Sequence, residues 1–190
     1  MVGSPVWRVL TTEPVAADDI AGRISHVFNG LFRISAQTVM VGGGAEPLYL
    51  PATCDQRARL VHTRDYASSA LHEAAHWCIV GAARRRRIDY GYPYYAPPRS
   101  AAQCQRFFSL ELRCQALELL FATAAGQSFE VSVDDLDAPQ TTARETSAAD
   151  FDTEVRAAAI ALHGRGLPRR AARLRDALAA EFSAAVVPLG

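Results

Sequence analysis

Apolar positions along this chain recur mainly at helical spacing. Ile20, Ile24, Val27, Phe28 and Leu31 share one face of VAADDIAGRISHVFNGLF, which predicts an amphipathic helix over 15–32. TVMV and PLYL are short β-like runs separated by Gly42, Gly43 and Gly44, and they predict a small hairpin or sheet edge. Residues 55–64 read as a polar lead into the main helix, expected over 65–84. Arg84 to Arg87 close that helix, as suits a C-terminal dipole. The segment DYGYPYYAPPRS, with tyrosines among Gly and Pro, predicts an ordered loop. A second strong helix is expected over 111–125, stopped by Gly126. A loop with a short strand at FEVSV follows. Two alanine-rich helices near 147–163 and 168–185, split by Gly164, Gly166 and Pro168, finish the chain. The sum is a single α+β domain over residues 1–190, core about 20–185, mostly helical with a small β-sheet beside two central helices.

Composition narrows the chemistry. Apolar residues make up 49% of the chain, charged ones 21%, and the formal net charge is zero. Those values suit a globular protein and argue against bulk binding to nucleic acid or membrane. No apolar run is long enough to span a bilayer, and MVGSPVWRVL lacks the regions of a signal peptide, so a cytoplasmic location is expected. Cys54, Cys78, Cys104 and Cys114 form no CxxC pair, which argues against a zinc knuckle and makes reduced thiols the expectation. The chain contains no lysine. Schiff-base and pyridoxal-phosphate chemistry need an amine that titrates, and a Walker-type phosphate loop needs its Lys, so all three are excluded.

The run HEAAH places His72 and His76 one turn apart on one helical face, where two imidazoles reach a single divalent metal ion. Glu73 lies between them as a candidate for moving a proton to or from metal-bound water. Glu118 is the expected third ligand, because an acid among Leu117, Leu119, Leu120 and Phe121 is costly without a cation. Glu111 is a weaker candidate, since an acid is expected at a helix start. Asp89 is a candidate for orienting a histidine from behind. Tyr92 and Tyr94, with Tyr90 and Tyr95, are placed to line a substrate cleft, and Arg84 and Arg85, with the two arginines after them, to dock an acidic partner. His26, His62 and His163 read as structural or exposed. Two readings stay open at this point: a zinc hydrolase of the metallopeptidase kind with Glu73 as general base, and a non-haem iron(II) oxygenase with a His-His-carboxylate face. Either one implies a zincin-like HExxH helix packed on a second, ligand-bearing helix.

HEAAHWCIVGAARRR, DYGYPYY and CQALELLFATAAGQSFEVSVDDL, with EPLYLPA upstream and GLPRRAARLRDAL downstream, resemble the bacterial elongation factor P hydroxylases over about residues 20–180. The resemblance implies an iron(II)- and dioxygen-dependent monooxygenase. Its substrate would be a modified lysine of elongation factor P, an acidic translation factor that relieves stalling at proline runs. It also implies that His72, His76 and Glu118 are the ligands and that Glu73 is the intervening acid. Pro93, Pro97, Pro98 and Arg99 depart from the family's usual loop, which predicts a different loop shape there.

Overall fold

The computed structural model of the protein describes residues 19–92, 100–132 and 148–183. Helix α1 spans Ile20–Phe32 and begins where Asp19 accepts a hydrogen bond from the Gly22 amide at 2.7 Å. Its buried face, Ala21, Ile24, Phe28 and Phe32, keeps the predicted spacing. Residues 15–18 of the predicted helix lie outside the described residues.

Of the predicted hairpin or sheet edge, the hairpin does not form, and the two runs lie at opposite edges of one sheet. Strand β1, Thr38–Gly44, and strand β2, Leu48–Leu50, are separated by a third strand, β3, Ala58–Thr63, in the order β1-β3-β2. Strand β3 runs parallel to β1, with Met40 opposite Leu60, and antiparallel to β2, with Tyr49 opposite Leu60. What read as a polar lead into the next helix is this central strand. Ala58, Leu60 and His62 point inward and Arg59 outward, a period of two that the polar Arg59 and His62 hide. Gly42 lies against His62, and a Cβ there would come within 2.8 Å of the imidazole Cε1. The Asn29 side chain of α1 covers the β1 edge, donating to the Met40 carbonyl at 3.0 Å and accepting from its amide at 2.7 Å.

Helix α2, Ala67–Ile79, is shorter than expected. It ends at Val80, whose backbone is extended, so Arg84–Arg86 belong to a separate 3-10 turn and do not close the helix. The α2 terminus is instead satisfied from outside the helix. Arg170 donates to the Cys78 and Val80 carbonyls at 3.2 and 2.8 Å, and Arg85 to Val80 at 2.6 Å. Helix α3 is longer than expected, Ala101–Ala124, because a capping box of Ser100 and Gln103 starts it ten residues before the predicted start. Gly126, at φ 64°, follows its end as predicted. Residues 127–132 carry no strand, and the remainder of FEVSV lies outside the described residues.

Helices α4, Ala148–Arg165, and α5, Arg169–Phe182, match the two predicted at the C-terminal end. They lay Phe151, Val155, Ala159, Leu174 and Leu178 into the core. Phe28, Phe32 and Trp77 pack ring to ring at 4.7–5.0 Å between α1 and α2, and the Arg170 guanidinium sits 4.4 Å above Trp77. Helix α2 is therefore wedged between the sheet, α1 and α3. Among the described residues no helix is long and apolar enough to cross a membrane.

Candidate metal centre

Helix α2 is apolar around most of its circumference: Ala70, Leu71, Ala74, Ala75, Trp77 and Cys78 are all buried. The half-buried His72 and His76 form the polar seam, and that seam faces α3. From α3, Glu111, Cys114, Gln115 and Glu118 answer it, all four of them buried. The spacing of 111, 115 and 118 keeps three of these side chains on one face.

The two histidines turn their Nε2 atoms toward each other at 3.1 Å. Glu111 straddles them, with Oε1 3.4 Å from His76 Nε2 and Oε2 3.7 Å from His72 Nε2. Glu118 stands at the opposite edge of His72, whose Nδ1–H donates to Oε2 at 2.8 Å. Glu118, the acid expected as third ligand, thus meets the nitrogen that points away from His76, while Glu111 faces both Nε2 atoms. The structural reason is the length of α3. With its start at Ala101, Glu111 is a buried mid-helix acid and not a helix-start residue. The signal that could have shown this in the sequence is the Ser100–Gln103 capping pair.

Electrostatics follow the same geometry. Burial alone would push His72 down. The hydrogen bond and charge of Glu118, helped by Glu111 and Glu73, outweigh it and raise the imidazole to about 9. Burial pulls Glu111 up, but its hydrogen bond to His76 and the charges of both histidines leave it below its ordinary value. Glu73 is pushed above its ordinary range by burial, with the two histidines opposing and Glu111 and Asp89 adding to the rise. Cys114 is the other soft donor here, within 4.8 Å of the histidine nitrogens. Burial raises its thiol well above the ordinary value, and its Sγ donates to the His72 carbonyl at 3.6 Å. A neutral thiol so engaged is a poor ligand.

The donor set fits a divalent metal. Two bonds of about 2.1 Å meeting at about 90–110° separate their donor atoms by about 3.0–3.4 Å, close to what His72, His76 and Glu111 present. A carboxylate on the far nitrogen of a ligating imidazole is the usual partner that fixes its tautomer. Among the described residues His76 Nδ1 is buried without a hydrogen-bond partner.

The remaining site candidates lie farther out. Asp89 accepts from the Tyr49 amide at 2.9 Å, which ties its turn to β2 and not to a histidine. Tyr90, beside it, is buried and stacked on Tyr49 at 4.3 Å, and both Asp89 and Tyr90 have positive φ. The Arg84 guanidinium covers the half-buried Tyr92 ring at 4.5 Å and donates to the Tyr90 carbonyl. Arg85 is spent on the Val80 carbonyl. Tyr94, Tyr95, Pro93, Pro97, Pro98 and Arg99 lie outside the described residues. Glu118 also forms part of the wall of a cavity of about 360 Å³, with Asp65, Tyr66, Ser68, Leu71 and Gln127.

A mostly helical α+β domain with two histidines and two carboxylates on facing helices is the class defined so far. The chain belongs to the elongation factor P hydroxylase family, whose pattern matches residues 27–189. It is similar to a Haemophilus influenzae protein named elongation factor P lysine hydroxylase, 38% identical over 162 residues, 84% of this chain and 88% of the relative.

Proposed function

We propose that this chain hydroxylates a lysine side chain of elongation factor P, using iron(II) held by His72, His76 and Glu111, with Glu118 orienting His72 from behind. The observation that carries this reading is the convergence of two Nε2 atoms, 3.1 Å apart, on one buried carboxylate in a chain of this family. Three protein ligands on one side leave positions open for reactants. Iron(II), when bound there, supplies the chemistry that activates dioxygen toward a C–H bond. The chain's own residues do the rest. Glu118 holds the proton of His72 at Nδ1, which keeps Nε2 as a lone-pair donor. Glu73, whose carboxyl burial pushes toward the protonated form, holds or releases a proton beside the histidines.

Tyr92 with the Arg84 guanidinium over it, and the exposed Arg86 and Arg87, form a basic patch on which an acidic protein docks.

The test is an intact-mass measurement of elongation factor P incubated with the enzyme, iron(II), dioxygen and a reductant. A gain of one oxygen atom, absent under nitrogen, is expected. No gain, or equal turnover with zinc and no oxygen, overturns the reading.

A further inference from the structure

Gln115 sits near the middle of α3, one turn beyond Glu111, and is 1% exposed. A buried amide has two N–H donors and a carbonyl to satisfy. Here all three are engaged. Nε2 donates to the Ser132 carbonyl at 2.9 Å and to Glu111 Oε2 at 3.4 Å, and Oε1 accepts from the Ser132 amide at 3.0 Å. The double bond to Ser132 admits one orientation of the amide, because a flip would set N–H against N–H. The second N–H is thereby left for Glu111 alone. The oxygen it reaches, Oε2, is the one that faces His72 Nε2 at 3.7 Å.

We propose that Gln115 is a positioning residue. The backbone at Ser132 sets the Gln115 amide, and the amide holds the Glu111 carboxylate toward the two histidines. This rests on the reading that Glu111 and the histidines hold the metal. A plainer role would be to tie residues 129–132 to α3. Phe129 and Val131 already pack against the core, so that segment has anchors of its own.

The experiment is an anaerobic Co(II) titration of the full-length metal-free protein, followed by the Co(II) absorption band, with a melting curve for each variant. Gln115→Leu keeps side-chain bulk and removes all three hydrogen bonds. It is expected to weaken Co(II) binding by about 10–100-fold, as loss of a residue supporting a ligand does. Thr123→Val removes a hydrogen bond of 2.8 Å to the Leu119 carbonyl on the same helix and serves as the stability control, with Co(II) binding unchanged. A folded Gln115→Leu protein that binds Co(II) within about twofold of wild type overturns the proposal, since a purely structural tie predicts that result. If Gln115→Leu does not fold, Ser132→Pro carries the test. It removes the amide that fixes Gln115 Oε1 and leaves Gln115 and Glu111 themselves in place, and unchanged Co(II) affinity and absorption there overturn the proposal equally. Wild-type protein that binds no Co(II) overturns the metal reading together with this inference, whereas tight wild-type binding matched by Gln115→Leu overturns this inference alone.

Discussion

His62 on β3 is buried and His72 on α2 is half-buried, and their environments drive them in opposite directions. His62 is 1% exposed, and its Nε2 lies 3.1 Å from the Ser25 hydroxyl. Burial pushes its pKa down, and the Thr63 backbone, Asp65, the Arg64 backbone and Asp19 oppose that only partly. His72 is also penalised by burial, but Glu118 in contact and Glu111 nearby reverse the sign. Burial by itself makes a neutral core histidine. Carboxylates in contact instead favour the charged imidazolium, and a metal ion bound at Nε2 would take the place of that proton.

The strongest way to break this contrast is to delete one imidazole from each region. His76→Ala is expected to abolish metal uptake, read by metal content after anaerobic loading, while the fold persists. His62→Ala is expected to load metal normally and to melt at a lower temperature. Loss of metal in His62→Ala would erase the distinction.

The next largest effect separates the two carboxylates. Glu111→Gln removes a donor that faces both Nε2 atoms and is expected to weaken metal binding more than Glu118→Gln, for which about 10–100-fold is expected from a residue behind the ligand. A Co(II) titration decides the order, and the reverse order would return Glu118 to the ligand role expected from the sequence.

The pH dependence of melting, measured on metal-free protein, sharpens the contrast further. The folded pKa of His72 lies above its ordinary 6.5, at about 9. Its contribution is complete below 6.5 and is lost as pH rises through about 9. His62 has a folded pKa below 6.5, so its contribution is complete above 6.5 and is lost as pH falls through the lower folded value. A stability maximum between these limbs is expected, with the alkaline limb reduced in Glu118→Gln.

The smallest effect is at Ser25. Ser25→Ala removes the neutral partner of His62 and is expected to cost about 0.5–1.5 kcal/mol by denaturant unfolding, with no change in metal affinity.

Much of the site was legible residue by residue. The spacing of His72 and His76 placed both on one helical face, and Glu118 stood out as an acid in an apolar run. Both facts are local, since an α-helix sets the directions of its side chains within a turn or two. Glu111 ranked below Glu118 in the sequence because its meaning depends on where α3 begins. A start at 111 makes it an ordinary helix-start acid, whereas a start at Ala101 makes it a buried one that needs a partner. Strand β3 was missed for a related reason. Arg59 and His62 made its alternation look polar, although His62 is among the most buried residues described.

By itself the sequence determined the helical content, the α4–α5 break at Gly166 and Pro168, the stop at Gly126 and the family. The tertiary structure alone decided the order β1-β3-β2, because strand pairing joins segments that share no local signal. It alone decided that Arg170, some ninety residues away in sequence, would satisfy the end of α2. And it alone decided which nitrogen of His72 meets which carboxylate. That choice depends on how far α3 is rotated and slid against α2, a quantity set by core packing across the whole molecule and by no residue of the motif.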